Sequence, residues 1–110
     1  MGDCIFCKIA NKEIPSEFVY ENEHIVAFND INPTAPVHIL VIPKKHVESL
    51  SELEDKNLMA ELLDGVRLVT KKLNIKDYRT VINTGKEAGQ EVFHIHLHII
   101  SGRPLKWPPG

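Results

Sequence analysis

The clearest alternation of polar and apolar positions lies near the carboxyl end of the chain, over residues 92–100. Three histidines, His94, His96 and His98, occupy every second position there, and apolar residues stand between them. Alternation with a period of two is typical of a half-buried β-strand, in which residues two apart point to the same face. The pattern therefore predicts a strand that carries three imidazoles on one face and packs its other face into a core.

Apolar patterning elsewhere predicts further strands and a short helix. An amphipathic helix is expected over residues 4–11, because its apolar positions fall on one side. Strands are expected over residues 19–20, 24–28, 37–42 and 78–83, where β-branched and aromatic residues cluster between turn-forming ones.

One long helix is expected in the middle of the chain. Its start is indicated by a capping box over residues 51–54 or by Asp55 as a single cap. From there apolar residues recur at steps of three and four for about 18 residues, the repeat of a helix with one buried face. The predicted core stripe consists of Leu58, Met59, Leu62, Leu63, Val66, Val69 and Leu73. This order of elements indicates an α+β domain with a mostly antiparallel sheet of about five strands.

Size and charge narrow the classes of function. A chain of 110 residues is long enough for one packed core, so a single domain over 1–110 is expected. The net charge of −2 gives no basic surface for a nucleic-acid backbone. No apolar run approaches the roughly 20 residues of a membrane span, and no signal-peptide pattern is found. We therefore expect a cytoplasmic protein that binds neither nucleic acid nor membrane.

The three aligned histidines allow three interpretations. On an extended strand, His94 and His98 lie about 13 Å apart, so they bind one metal ion only if the strand bends sharply. A central imidazole that acts as a nucleophile is favoured, because imidazole is largely neutral near pH 7 and forms labile covalent intermediates. An exposed histidine-rich face without a role is the third interpretation.

Cys4 and Cys7 are the only cysteines, and they have Cys-X-X-Cys spacing. A disulfide is disfavoured in the cytosol, and a redox pair usually follows a strand, which is not expected before Cys4. A zinc site needs four ligands, so two more would have to come from elsewhere in the chain. Zinc binding, free thiols and redox activity all remain open at this point.

Several short motifs occur together in a characteristic order. They are His94–Ile100, Asp30–Pro33, Ala35–His38, Val41–His46, Asn83, Gly89-Gln90 and Gly102-Arg103. Their order and spacing resemble the histidine triad (HIT) family of nucleotide hydrolases and transferases. The ending Trp107–Gly110 resembles the Hint branch, whose members are purine nucleoside phosphoramidases. The resemblance implies a HIT-like fold, a sheet that continues across a homodimer, and a tail over residues 103–110 that contacts the partner subunit.

The resemblance also implies a mechanism that needs no catalytic cofactor. His96 would attack the α-phosphorus of a purine nucleoside phosphoramidate, and His98 and His38 would assist it. A nucleotidyl-histidine would form and then be hydrolysed by water. Asp30 would bind the ribose, although it could instead cap a turn. The apolar residues would form a slot for the purine or belong to the core, and they are Ile5, Phe6, Ile9, Ile14 and Ile31. The implied substrate-binding residues are Asp30, Ile31, Asn83, Gly89, Gln90, Glu91, Val92, Ile5, Phe6, Ile9, Ile14 and Trp107.

Bacterial members of the family with a cysteine pair imply a structural zinc ion here. Carried over by position, its ligands would be Cys4, Cys7, His46 and His94.

One residue departs from the animal Hint pattern, because Glu91 stands where those proteins have a serine. A carboxylate near a phosphate repels it, so we hypothesise that Glu91 favours cationic or amine-bearing leaving groups.

Two other functions remain open from the sequence. The chain could hydrolyse dinucleoside polyphosphates, as the Fhit branch does. It could also be a nucleotide-binding regulatory module without significant turnover.

Overall fold

The sheet is built around two strands that are apolar on both faces. The computed structural model describes residues 4–110. Its elements are α1 (Ile5–Ala10), β1 (Phe18–Glu21), β2 (Ile25–Asn29), β3 (Val37–Pro43), α2 (Lys56–Lys72), β4 (Tyr78–Val81) and β5 (Leu97–Ser101). Short 3-10 turns cover Leu50–Glu52 and Lys86–Ala88.

All neighbouring strands pair antiparallel in the order β1-β2-β3-β5-β4. This confirms the expected α+β fold with five antiparallel strands, one long helix and a short N-terminal helix. β2 and β3 lie inside the sheet, where both faces are covered, and this explains why their sequences are nearly continuous apolar runs, interrupted in β3 by His38.

The two helices cover opposite faces of the sheet. α2 packs its buried residues on the face that carries Ile39, Val41, Leu97 and Ile99. On the other face, Phe6 and Ala10 of α1 pack with Val26, Phe28, Leu40 and Ile42. Neither helix in the described part of the chain combines the length and the apolarity that crossing a membrane requires. Because side chains alternate along β3 and β5, His38 and His98 share the face that α1 partly covers.

The predicted strand over residues 92–100 is only half correct. β5 begins at Leu97, and its pairing with β3 ends where Leu97 meets Val41. Residues 92–96 pair with no strand, and the backbone N–H of Ile95 donates to the carbonyl of Val47 at 2.7 Å. His94 and His96 therefore precede the strand, and only His98 lies within it.

Two details of the long helix also differ from the prediction. Asp55 caps it by accepting a hydrogen bond from the N–H of Leu58 at 3.1 Å, and the proposed capping box falls partly in a 3-10 turn. Leu63 and Leu73 are 61% and 41% exposed, so they do not belong to the core stripe. A helix on one face of a sheet buries only the side turned toward it, and these two residues fall outside that side.

Gly65 of α2 sets how closely the helix approaches the sheet. A Cβ atom at Gly65 would lie 2.9 Å from Ile25 Cδ1 and 3.3 Å from Val41 Cγ1. We expect Gly65→Val to lower the free energy of unfolding by about 2–3 kcal/mol through overpacking. Ala60→Val, at an exposed position of the same helix, should cost less than about 1 kcal/mol. Urea unfolding of both variants measures the difference, and equal losses would contradict the close approach.

Candidate active site and metal centre

His96 lies directly before β5, and its side chain is almost completely buried. It is 8% exposed, and its ring packs edge-on against Phe6 of α1 with centroids 5.1 Å apart. Its Nδ1 atom lies 2.8 Å from the carbonyl oxygen of His94. A carbonyl only accepts, so Nδ1 carries the proton and the neutral ring keeps a free lone pair on Nε2. This is the tautomer that a nucleophilic imidazole requires.

His38 and His98 form a hydrogen-bonded pair beside His96. The backbone N–H of Thr34 donates to His38 Nδ1 at 3.1 Å, which leaves the proton of the neutral ring on Nε2. That Nε2 lies 2.8 Å from His98 Nδ1, so His98 accepts there and carries its own proton on Nε2. His98 Nε2 is buried and has no hydrogen-bond partner among the described residues.

The ring that carries this unpartnered N–H lies next to His96 and is uncharged at neutral pH. The rings of His96 and His98 are 5.0 Å apart between centroids. Burial, together with the neighbouring His96 and His38, lowers the pKa of His98 to about 4, although Asp30 acts in the opposite direction. His98 is therefore neutral at pH 7, and its Nε2–H has no acceptor among the described residues.

A second cluster brings together four residues that are distant in the sequence. The Nδ1 atom of His94 lies 3.3 Å from Cys4 Sγ and 3.5 Å from Cys7 Sγ, and His46 Nδ1 lies 3.3 Å from Cys7 Sγ. His94 Nε2 donates to the carbonyl of Pro43 at 2.8 Å, so its Nδ1 is unprotonated and directed at the thiols. The four ligand atoms all lie within 4.8 Å of one another. These residues could hold a metal ion.

The donor set fits a tetrahedral ion. Zinc bonds of about 2.3 Å to sulfur and about 2.0–2.1 Å to nitrogen place neighbouring ligand atoms about 3.6 Å apart. The observed sulfur–nitrogen distances of 3.3–3.5 Å are close to that value. Burial lowers the pKa of His94 to about 4, and burial together with Cys4 raises the pKa of Cys7 to about 11. A bound cation offsets the cost of a thiolate at Cys7 because it binds the deprotonated form.

Asp30, His38 and His98 form another group whose side chains could meet at one ion. The distance between His38 Nε2 and His98 Nδ1 is 2.8 Å, whereas two nitrogen ligands of a tetrahedral ion lie about 3.3 Å apart. The short distance is that of a hydrogen bond. We therefore describe this group as a hydrogen-bonded network and not as a metal site.

The apolar residues expected at the purine slot are only partly brought together. Phe6 is buried, and Ile9 and Val92 pack against the same cluster. Ile5 and Ile31 are 44% and 91% exposed, and Ile14 is partly buried outside that cluster. The structure thus offers an apolar wall on the α1 side of His96, whereas Ile5 and Ile31 lie outside this cluster.

Asp30 makes two contacts at the start of the loop between β2 and β3. Its Oδ1 atom accepts a hydrogen bond from the N–H of Asn32 at 2.8 Å, which is the turn cap considered as an alternative. Its Oδ2 atom lies 3.4 Å from His38 Nε2. The turn cap therefore uses one carboxylate oxygen, and the other oxygen lies at the edge of the histidine network.

The loop before the histidines is held by the side chain of Gln90. Its amide accepts from the N–H of Gly85 at 2.9 Å and donates to the carbonyls of Glu48 and Val92 at 2.7 and 3.1 Å. Gly89 adopts a φ of 94°, which favours glycine, and a Cβ there would lie 3.5 Å from Asn83 Nδ2. Asn83 and Gly89 are therefore neighbours, whereas Glu91 is exposed.

The carboxyl-terminal tail borders the histidine network through a basic groove. Trp107 is 81% exposed. The groove has a volume of about 300 Å³ and no acidic residue in its lining. Its lining includes Thr34, Arg79, Val81, Ile100, Arg103, Leu105, Lys106, Pro108 and Pro109. Thr34 belongs to both places, because its N–H contacts His38 and its carbonyl accepts from Arg103 at 3.3 Å.

Sequence reasoning missed the backbone groups that fix the rings. The N–H of Thr34, the carbonyl of Pro43 and the carbonyl of His94 each set the tautomer of one histidine. Every residue type except proline offers the same backbone groups, so residue identity gives no signal for these contacts.

Comparison with known proteins identifies the family. Residues 11–105 match the HIT domain, and the chain belongs to the HIT family. It is 52% identical to a HIT-like protein of Synechocystis sp. over 98% of this chain and 97% of that one. It is 47% identical to a 14 kDa zinc-binding protein of Zea mays over 96% of this chain and 87% of the other. A HIT family hydrolase from Legionella pneumophila superposes with a TM-score of 0.93 at 44% identity, covering 98% of this chain and 100% of that one.

The lowered pKa of His98 predicts a loss of stability in acid. Its pKa is about 4 when folded and about 6.5 in the unfolded chain, so the unfolded chain takes up the proton first as the pH falls. The contribution of His98 is complete above about pH 6.5 and is lost between about pH 6.5 and 4. His98→Gln should reduce the loss of unfolding free energy between these pH values by about 1–2 kcal/mol. Urea unfolding at pH 7 and pH 4.5 measures this change in unfolding free energy. His24→Gln, which replaces an exposed histidine, serves as the control. An unchanged pH dependence in His98→Gln would refute the assignment.

Proposed function

We propose that this chain hydrolyses purine nucleoside phosphoramidates, adenosine forms first, to the nucleoside monophosphate and an amine. The observation that carries the proposal is the hydrogen bond from His96 Nδ1 to the carbonyl of His94, at 2.8 Å. It leaves the Nε2 lone pair free on a buried ring that needs no proton removed before it attacks. The similarity to a HIT family hydrolase from Legionella pneumophila supports a hydrolytic reaction.

The reaction proceeds in two displacements and needs no catalytic cofactor. His96 Nε2 attacks the α-phosphorus and the P–N bond breaks. The nitrogen takes a proton from solvent as this bond breaks, so the group leaves as a neutral amine. The nucleotidyl-histidine carries a positive ring charge, and the Nδ1–H of His96 remains held by the carbonyl of His94. Water then attacks the phosphorus and returns one proton to solvent, the bond to Nε2 breaks, and the nucleoside monophosphate leaves. His96 returns to its starting tautomer.

His98 and His38 act together in this proposal. The unpartnered Nε2–H of His98 donates to a phosphoryl oxygen or to the departing nitrogen. His38 fixes His98 in that tautomer, because its own proton is directed at His98 Nδ1 over 2.8 Å. Thr34 holds His38 in place through its backbone N–H. The chain of contacts presents one donor beside the nucleophile.

The remaining residues hold the nucleotide. Phe6, Ile9 and Val92 line the α1 side of the site and offer an apolar surface for the purine, with Ile5, Ile14 and Ile31 beside it. Asp30 binds the ribose hydroxyls through Oδ2, because Oδ1 is already used by the N–H of Asn32. Asn83 and the loop of Gly89, Gln90 and Glu91 stand on the phosphate side. There the exposed Glu91 selects the leaving amine by charge.

Zinc is the metal that we assign to the cluster of Cys4, Cys7, His46 and His94. Two sulfur and two nitrogen donors at these distances are the ligand set of a structural zinc site. The similar protein of Zea mays is described as zinc-binding. Bound there, zinc supplies a cross-link between α1, the segment after β3 and the segment before β5. It takes no part in bond making or breaking.

We also propose that the chain works as a homodimer in the cytoplasm. β4 is an edge strand with unpaired backbone groups, and such edges readily pair with a second chain. Leu63, Tyr78 and Trp107 are large apolar residues exposed in the single chain. A partner subunit that pairs with β4 and receives the tail over residues 103–110 would continue the sheet and cover apolar surface.

The basic groove favours one second candidate, hydrolysis of dinucleoside polyphosphates. Arg79, Arg103 and Lys106 line it and form no salt bridge within the described residues 4–110. A phosphate chain that extends beyond His98 would meet these cations. Rates on adenosine 5′-monophosphoramidate and a diadenosine polyphosphate, measured side by side, separate the two substrates.

A covalent intermediate on His96 is the direct test. Intact mass spectrometry after mixing with adenosine 5′-monophosphoramidate and quenching in alkaline denaturant should show a mass gain of one adenylyl group. His96→Ala should show no gain, and its turnover rate should fall by about 10³-fold or more, because the nucleophile is lost. His24→Gln, at an exposed histidine, should behave as wild type.

Two outcomes contradict the proposal. Turnover without any adduct in a rapid quench would favour direct attack by water. A rate unchanged by His96→Ala would indicate contaminating activity and a nucleotide-binding module without turnover.

A further inference from the structure

We propose that the metal-binding cluster positions the nucleophile, with His94 as the residue that links the metal to His96. This inference rests on the function proposed above, because it concerns the same nucleophile. It adds that the metal ion affects the reaction rate only by holding His96 in position.

His94 makes separate contacts through its two ring nitrogens and through its backbone carbonyl. Nδ1 is directed at the thiols of Cys4 and Cys7 at 3.3 and 3.5 Å, and Nε2 donates to the carbonyl of Pro43 at 2.8 Å. Its backbone carbonyl accepts the Nδ1–H of His96 at 2.8 Å. Its side chain is fully buried. Contacts at both ring nitrogens restrain the whole residue, including the carbonyl that sets the tautomer of His96.

The sheet does not hold this carbonyl by itself. Residues 92–96 lie before β5 and have no partner strand, so no ladder of backbone hydrogen bonds fixes His94. Thiol–imidazole contacts are weak, whereas four bonds to one ion fix the ligands rigidly. One backbone hydrogen bond, from the N–H of Ile95 to the carbonyl of Val47 at 2.7 Å, holds the peptide group that contains the His94 carbonyl. Metal occupancy would restrain the His94 ring in addition.

A second connection runs through α1. Phe6 stands between the two cysteines in the helix and packs edge-on against both His94 and His96, with centroids 6.0 and 5.1 Å apart. Cys4 and Cys7 as ligands fix the rotation of α1 and therefore the position of Phe6. The ion thus restrains the His96 ring from its hydrogen-bonded side and from its packed face.

His46→Gln tests the link without changing His94, Phe6 or either cysteine. The variant should hold much less than one zinc ion per chain, and wild type about one. We expect ring ¹⁵N spectra of zinc-loaded wild type to show His96 in the single tautomer with a proton on Nδ1. His46→Gln should show a mixture of tautomers, and its kcat should fall by about 10-fold with KM changed less than about 2-fold.

Four controls separate positioning from a general loss of stability. Gly65→Val destabilises the sheet from the α2 side, which is the face opposite α1, and should keep zinc, the single tautomer and kcat. His46→Cys restores a fourth ligand and should restore all three properties, as should zinc added back to chelated wild type. His24→Gln should leave zinc content unchanged.

The tautomer measurement needs no turnover, so it distinguishes this inference from the proposed function. If no form hydrolyses a phosphoramidate, the proposed function fails while the spectra still decide whether metal positions His96. Zinc-free His46→Gln with a single Nδ1–H tautomer, or with the kcat of wild type, would overturn the inference. The same holds if Gly65→Val, with its zinc intact, loses the tautomer to the same extent.

Discussion

The reaction that we propose depends on the hydrogen bond between the His94 carbonyl and the His96 ring. A buried neutral imidazole must place its single proton on one nitrogen, and at 2.8 Å the carbonyl determines which one. For a ring as buried as His96, the opposite choice would leave both a carbonyl and a ring N–H without partners. The same contact therefore favours the folded arrangement and leaves on Nε2 the lone pair that the proposed reaction uses. His94 and His96 lie outside the paired strands, so this hydrogen bond depends on the side chains that hold His94 in place.

The two faces of the sheet have different roles, because one forms the apolar core and the other carries the candidate site. The α2 face of the sheet is an apolar core, in which Ile39, Val41, Leu97 and Ile99 pack against the helix. The α1 face carries the histidines, because alternation along β3 and β5 places His38 and His98 there. A short helix covers only part of that face, and the uncovered part holds polar groups and the basic groove. One strand thus contributes both to a closed core and to an open site.

The sequence predicted the fold well and the site only in part. Continuous apolar runs and the helical repeat identified β2, β3 and α2, because these elements depend on burial alone. The alternation around His96 predicted three imidazoles on one side, but a period of two determines direction only where a neighbouring strand exists. His94 precedes that point, and its ring turns to Cys4 and Cys7. The pairing of His38 with His98 depends on the register of β3 and β5, a long-range property that local patterns do not contain. The family resemblance proposed the four residues of the metal cluster, because Cys7 and His46 are 39 positions apart and no local spacing joins them.

Stereochemistry at phosphorus tests the central claim most directly. An adenosine phosphoramidate with one phosphoryl oxygen replaced by sulfur, in a single configuration, would be hydrolysed in ¹⁸O-labelled water. Two successive in-line displacements, first by His96 Nε2 and then by water, each invert the configuration, so the account predicts net retention. Net inversion would show that water attacks the substrate directly and would contradict a nucleotidyl-histidine.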